Sequence, residues 1–395
     1  MRASLSLSKH SKKDIDNILG EFGFVATSSK RMLGGFSATN YRVETKDGEM
    51  AVLKIMNGMQ KKSVKGQTDI IEYLFRRGYT GLGRPYIAAW KGKDESKQKS
   101  DEDKDEDEDE DTHDDDDGDD DIEKRYVVFK GTPCCLLSYV DGISAEEALE
   151  QNLDLCESTV IAMLGEELAK LHSVVVTPDA GLRDHLTGGA SLASEHMNGV
   201  YLLAIEDSKY ANHPFIKFYQ EELVNLIDCM SNRNLPKGII HGDPFLDNVI
   251  VDEKSGHFKG FVDWEDTTVG PLLFDIATAI IGTCYNEHCC MLDEFRLKTF
   301  LNGYTKKRKL TNEELQYLPR FIQMTLTCNC AWRFKNFAID HPELNETNSH
   351  VEIQERVLAM REEDTKDFLG KVMADLHAGA RRRENVAPCV LCAII

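Results

Sequence analysis

The chain lacks any long apolar run. Nothing in its 395 residues approaches the roughly 20 apolar residues a membrane-spanning helix needs. The opening MRASLSLSKHSKKDID has no apolar centre, so a cleaved secretory segment is not expected and a cytoplasmic location is. There are eleven cysteines, but the neighbouring pairs Cys134-Cys135 and Cys289-Cys290 lack the C-x2-C spacing of zinc sites. They read as reduced, mostly buried thiols. Positive charge is also scarce: 47 Lys and Arg stand against 68 Asp and Glu, for a net charge of −21. That balance argues against broad nucleic-acid binding. The excess is local. Residues 101–121 carry seventeen acidic residues and one lysine, a net of −16, so the remainder is near −5.

What is present suffices for a core. The chain is 41% hydrophobic, and its length suggests two domains or lobes. Residues 12–24 carry Ile15, Ile18, Leu19 and Phe22 at helical spacing. YRVET and MAVLKI flank the turn signal KDG at 46–48 and form a hairpin. A helix is expected over about 65–77. PYIAAW at 85–90 and YVVFKGTPCCLLSYV at 126–140 look like strands. Between them, residues 91–124 are almost purely charged and cannot bury enough apolar area to order themselves, so they are expected to be a disordered insert. From about 158 the pattern turns helical, with Val160, Leu164, Leu168 and Leu171 on one stripe. Residues 191–231 and 291–380 are expected to be mostly helical, and LLFDIATAIIGTCY a buried helix. The fold class is therefore α+β, with a strand-rich N-terminal lobe and a helical C-terminal lobe.

The stretch IIHGDPFLDNVIV at 239–251 concentrates the chemistry. Its H-x-D-x-x-x-x-N spacing is that of a kinase catalytic loop. Asp243 can sit near the proton of an acceptor hydroxyl. Asn248 offers a neutral oxygen to Mg2+, a hard cation. The following IVDEKSGHFKGF reads as a hairpin turning at Lys254-Ser255-Gly256, which returns Asp263 to Asn248 as a second metal ligand. The other reading is a capped turn whose polar side chains bond the backbone. Upstream, Leu33–Asn40 with Gly34 and Gly35 lies between two strands, where backbone amides could meet phosphates, although it is not G-x-G-x-x-G. Lys54 in AVLKI occupies the place of a phosphate-binding lysine. Its carboxylate partner stays open among Glu72, Gln67 and Asp69. The segment Leu136–Val140, with Leu137 and Tyr139, would be the hinge whose backbone meets adenine. No DFG or A-P-E segment is present, which argues against a protein kinase.

These residues resemble the aminoglycoside phosphotransferase superfamily. HGDPFLDNVIVD followed by FVDWED matches its catalytic loop and metal carboxylate. GGFSATNYRVET, CCLLSYVDGIS, MLGEELAKLHSVV and FLNGYTKKRKLTNEELQYLP look most like the homoserine kinases of that fold. The resemblance covers roughly 25–90 and 126–335. It implies a protein-kinase-like bilobal fold with a small antiparallel sheet in the N-lobe and a larger helical C-lobe. It implies ATP and Mg2+, and phosphorylation of a hydroxyl on a small amino acid or amino alcohol, with homoserine the first candidate. Hydroxylysine, choline, ethanolamine or an aminoglycoside is the alternative acceptor, and a catalytically silent scaffold the alternative class. By motif match, Asp243 is the base, Asn248 and Asp263 hold the metal, and Lys54 contacts phosphate. Asp247, Glu265 and Asp266 are candidates to face an ammonium group. Two departures stand out: Gly242 where homoserine kinases commonly have Ala, and Trp264-Glu265 where an aromatic pair is common. The expected organisation is a helical segment at 1–24, a nucleotide-binding lobe at 25–140 with the insert at 91–124, a helical catalytic and acceptor lobe at 141–375, and a flexible tail at 376–395. In that tail Cys392 fits C-a-a-X, with Arg381-Arg382-Arg383 and Cys389 upstream. A prenyl group there would give reversible membrane attachment; the alternative is an unmodified tail.

Overall fold

The computed structural model describes residues 10–32, 38–88, 124–151, 155–177, 182, 206, 210–231, 234–285 and 290–384, without side chains for 227–231 and 377–384. The glycine loop at 33–37, the acidic run at 89–123 and the segment containing Cys392 lie outside the described residues. So do 191–205, within the stretch expected to be helical. The chain divides into two compact units: residues 4–61 with 85–138, and residues 62–84 with 139–395. Residues 62–84 thus group with the helical unit rather than with the strands that precede them in sequence.

The first unit opens with helix α1 (Lys12–Glu21). Ser11 caps it, its side chain accepting from the Asp14 amide while the Asp14 carboxylate accepts from the Ser11 amide. That reciprocal pairing satisfies two of the amides a helix start leaves without partners. The sheet has five antiparallel strands in the order β1-β2-β3-β5-β4: β1 Ala26–Arg31, β2 Thr39–Thr45, β3 Met50–Ile55, β4 Val127–Phe129 and β5 Thr132–Ser138. Alternation along β2 turns Tyr41, Val43 and Thr45 inward, because successive side chains leave opposite faces of a strand. Tyr41 and Val43, with Ala51, Leu53, Ile55, Cys134 and Leu136, form one core with Ile15, Ile18 and Leu19 of α1 and with Phe22 just after it.

Two strand expectations need correction. YVVFKGTPCCLLSYV is not one strand but the hairpin β4–β5, folded at Lys130 (φ 49°) and Gly131 (φ 81°). Two consecutive positive φ values make the tight turn that suits the strand twist. PYIAAW is not a strand over its described residues. Pro85 makes one isolated bridge to Leu137, and the Tyr86 and Ala88 amides donate to Leu136 and Lys124 carbonyls. Proline cannot donate to a ladder, so pairing does not propagate from it.

The second unit is mainly helical. Helix α2 starts at the unit boundary (Lys61–Arg76). A short strand β6 (Ile143–Ser144) leads into α3 (Ala145–Glu150), which is followed by α4 (Glu157–His172), α5 (Pro214–Ser231) and strand β7 (Lys237–Ile240). Strands β8 (Val249–Val251), β9 (Phe258–Phe261) and β10 (Thr268–Pro271) come next. Then follow α6 (Leu272–Thr283), α7 (Glu294–Thr305), α8 (Asn312–Arg333), α9 (Ser349–Ala359) and α10 (Glu363–Glu384). The stripe Val160, Leu164, Leu168 and Leu171 is fully buried. Helices α4 and α7 cross at glycines. A Cβ on Gly165 would stand 2.3 Å from the Phe300 carbonyl oxygen, and one on Gly303 would stand 2.2 Å from that of Ala162. Helix α6 is buried along nearly its whole length. No described helix is long and apolar enough to cross a membrane.

Candidate active site

The stretch His241–Asn248 links β7 to β8. Strand β7 pairs antiparallel with β10, and the Thr267 hydroxyl donates to the Ile240 carbonyl at 2.8 Å. Immediately after β7 the chain turns sharply. Gly242 has φ +90°, and a Cβ there would lie 2.3 Å from the Asp266 carbonyl oxygen. Both facts require glycine, since side chains disfavour positive φ and the neighbouring backbone leaves no room. The departure from alanine at this position thus has a local backbone cause.

Asp275, on the first turn of α6, holds this turn. Its Oδ2 accepts from the His241 amide at 2.6 Å and its Oδ1 from the Gly242 amide at 2.8 Å. Its Oδ2 also accepts from His172 Nε2 at 3.1 Å. The carboxylate is 0% exposed. Burying a charge is costly unless it is hydrogen-bonded, and three donors supply that. Its place at a helix N-terminus adds a favourable dipole. Sequence reasoning missed Asp275, although one acidic residue inside the apolar LLFDIATAIIGT was the available signal.

His241 spends both ring nitrogens on backbone. Nε2 lies 3.0 Å from the Val262 carbonyl oxygen, which only accepts, so it carries the proton. Nδ1 then accepts from the Asp243 amide at 3.3 Å. The ring packs between Trp264 and Phe261, with centroids 4.6 and 5.3 Å away. This is a strut between two loops. Trp264 itself is buried and donates its indole N–H to the Phe261 carbonyl at 3.0 Å. It packs on the strut inside the core, so the Trp264 half of the second departure is likewise structural.

Asp243 and Asn248 meet directly. The Asn248 amide nitrogen donates to Asp243 Oδ2 at 2.8 Å and to the Asp243 carbonyl at 2.9 Å. Five residues separate them, and the intervening backbone is drawn in by Phe245 N–H to the Asp243 carbonyl and Asn248 N–H to the Phe245 carbonyl, each 2.9 Å. Because the nitrogen is used inside the loop, the side-chain oxygen of Asn248 is the atom left to face a cation.

The expected hairpin follows. Val249 pairs with Phe261 and Ile250 with Gly260. At its tip the Asp252 carboxylate accepts from the Lys254 and Ser255 amides and the Ser255 hydroxyl, which holds its pKa down at about 2. The Val262 amide donates to the Asn248 carbonyl at 2.9 Å, so Asp263 begins one residue past that pairing. Asp263 takes a left-handed conformation (φ 63°, ψ 61°) and starts a 3-10 turn, Trp264–Asp266. A non-glycine residue here is strained, and such strain collects at functional sites. The oxygens of Asn248 and Asp263 are both hard donors, which fits a cation such as Mg2+. Asp247, Glu265 and Asp266 are partly buried around this turn and the loop.

The remaining expected residues lie elsewhere. In the strand-rich unit, Lys54 sits mid-β3 opposite Asn40 and Cys135 and is only 4% exposed. Leu137 is buried on β5 opposite Val52. Tyr139 opens the second stretch of the helical unit. Gly34 and Gly35 lie outside the described residues. On α2, Glu72 pairs with Arg76 and Arg84, and Asp69 with Lys65. The Gln67 amide is buried with no hydrogen-bond partner among the described residues.

Comparison with known proteins agrees with this layout. Residues 29–310 match the model of the phosphotransferase enzyme family. A homoserine kinase of Methylobacillus flagellatus is 30% identical over 202 residues, which is 49% of this chain and 54% of that protein. The chain spans about half the length of the curated relatives it matches. Among solved structures, a microcompartment-associated aminopropanol kinase superposes with a TM-score of 0.60 at 16% identity, over 91% of this chain and 99% of that one. An amicoumacin kinase in complex with AMP-PNP, Ca2+ and its ligand gives 0.54 at 12%, over 88% and 95%. At such identities the likeness is one of fold, the protein-kinase-like fold. Since the matched span takes in both the strand carrying Lys54 and the whole loop from His241 to Asn248, the chain belongs to the phosphotransferase enzyme family.

Proposed function

We propose that this protein transfers the γ-phosphoryl group of ATP to the hydroxyl of a small amino compound, with homoserine the leading acceptor. The observation that carries this reading is the 2.8 Å contact between Asn248 Nδ2 and Asp243 Oδ2, within a loop whose backbone is clamped by a buried carboxylate. Asp243 is the acceptor-side group: it orients the hydroxyl and receives its proton. Asn248 fixes the Asp243 carboxylate in one rotamer. Asn248 and Asp263 would hold Mg2+, which when bound neutralises phosphate charge. Lys54 adds positive charge on the nucleotide side, with Gly34 and Gly35 lending backbone amides and Leu137 and Tyr139 the adenine-facing backbone. Such sites accelerate transfer mostly by positioning and electrostatics rather than covalent chemistry. Asp247, Glu265 and Asp266 would favour an acceptor bearing an ammonium group.

Support for homoserine over its relatives comes from the curated homoserine kinases that match about half of the chain. The aminopropanol kinase of similar fold keeps amino alcohols as the second reading. The deciding assay measures Mg-ATP consumption by the purified protein against a panel of amino acids and amino alcohols, with Asp243→Asn as control. Turnover is expected with at least one hydroxyl-bearing amine and a loss of at least about 100-fold in the mutant. No turnover on any acceptor, or equal turnover by the mutant, ends the enzyme reading. Preference for another acceptor over homoserine ends only the narrower one.

A further inference from the structure

A chain of buried polar groups runs from the catalytic loop to the first turn of α8. Beyond Asp275, His172 Nδ1 lies 2.9 Å from the Tyr304 hydroxyl. That hydroxyl lies 3.1 Å from Arg308 Nη1, and Arg308 lies 2.9 Å from the Glu314 carboxylate. The side chains of His172, Asp275 and Glu314 are 0% exposed, and that of Arg308 only 15%. Tyr304 is fully buried. Residues from α4, α6, α7 with the turn after it, and α8 converge on this line.

The direction of every hydrogen bond is dictated by what each group can do. A guanidinium only donates, so the Tyr304 oxygen accepts from Arg308. Its own proton then goes to His172 Nδ1. With Nδ1 accepting, His172 carries its proton on Nε2 and donates it to Asp275, a carboxylate that only accepts. Asp275 then has both oxygens set to receive the His241 and Gly242 amides. Burial raises the Tyr304 phenol well above its ordinary range, so that proton stays in place. The outer end is nailed by a local device. Thr311 and Glu314 form the capping box of α8, the Glu314 carboxylate accepting from the Thr311 amide at 2.9 Å.

We propose that Tyr304 is a positioning residue for phosphotransfer: its hydroxyl, oriented by the Arg308–Glu314 pair, anchors the His172 ring through which Asp275 holds the catalytic loop. Deleting the hydroxyl leaves His172 Nδ1 a buried acceptor without a donor. The imidazole then turns or draws in water to satisfy that nitrogen, which weakens its bond to Asp275 and loosens the loop. A loop displaced by a fraction of an ångström misplaces Asp243, and catalysis is steeply sensitive to such shifts. The kinetic part of this inference rests on the phosphotransferase reading; the structural part does not.

The test has two readouts on the full chain. Amide hydrogen exchange of peptides spanning 239–246 should quicken about fivefold or more in Tyr304→Phe. It should stay at the wild-type rate in Tyr285→Phe, which deletes another buried phenol hydroxyl, one with no hydrogen-bond partner among the described residues. On whichever acceptor the wild type uses, Tyr304→Phe should lower kcat about tenfold and leave both KM values within about twofold. Adding Tyr304→Phe to Asp275→Asn should cost little further, since the two act through one chain. Should Tyr304→Phe fail to fold, Arg308→Leu carries the same test with a smaller change in the same direction. Unchanged exchange at 239–246 overturns the proposal even if the wild type is an active kinase. Quickened exchange with wild-type kcat overturns the catalytic role. An inactive wild type with quickened exchange leaves the clamp standing and removes the phosphotransferase reading instead.

Discussion

Gly242 and Asp263 carry the backbone strain of the site, and they differ in what they tolerate. At Gly242 a positive φ coincides with a carbonyl oxygen 2.3 Å from any added Cβ. Gly242→Ala is therefore expected to cost about 1–3 kcal/mol, seen as a lower denaturant midpoint, with a fall in kcat because the peptide that bonds Asp275 is the one distorted. A midpoint equal to wild type would mean the turn is looser than its geometry indicates. Asp263 keeps a side chain at φ 63°, a strain that the proposed metal-holding role of its carboxylate would account for. The backbone placement of Asp243, Asn248 and Asp263 was legible in the sequence, since short spacings and a hairpin set it. The reasons for Gly242 and Trp264 were not. Each answers to atoms more than twenty residues away in sequence, Asp266 for one and His241 for the other.

Among the elements, the α4–α7 pair matters most to the site's support. Gly165 and Gly303 let the two backbones touch, and this close crossing brings His172 to Tyr304. Gly165→Ala or Gly303→Ala forces the helices apart, and overpacking of this kind costs about 1–3 kcal/mol. The expected outcome is a lower melting temperature together with faster amide exchange at 239–246, because the separation breaks the His172–Tyr304 contact. A Gly370→Ala control on α10, where an added Cβ meets nothing within 4 Å, should be neutral or slightly stabilising, since alanine is the better helix former. Periodicity revealed α1 and α4, an apolar run revealed α6, and turn residues revealed the β2–β3 and β8–β9 hairpins. The β4–β5 hairpin escaped notice because Lys130-Gly131 lies inside an otherwise unbroken run of strand-forming residues.

For the whole molecule, stability should depend on pH through His350. Its ring is buried among Phe215, Phe334 and His213, and burial together with the neighbouring imidazole lowers its pKa. The unfolded chain binds a proton there near pH 6.5, while the folded protein resists it until lower pH. The stability tied to neutral His350 is thus complete above about pH 6.5 and is lost as pH falls through the folded value. Melting temperature should drop between about pH 7.5 and 5.5, and His350→Gln should flatten that drop whatever it does to absolute stability. An equal slope in the mutant would assign the effect to other groups.

The sequence by itself determined the local layout of the proposed site. Eight residues and one hairpin place Asp243, Asn248 and the start of Asp263, because loop spacing and strand pairing are local and follow from residue type and turn chemistry. Only the tertiary structure decided what holds that constellation still. Asp275, His172 and Tyr304 are separated by 103 and 132 residues along their two contacts, and no local pattern encodes which helix faces will meet. That choice belongs to the packing of α4, α6 and α7, where two glycines permit the approach and a buried carboxylate requires its donors.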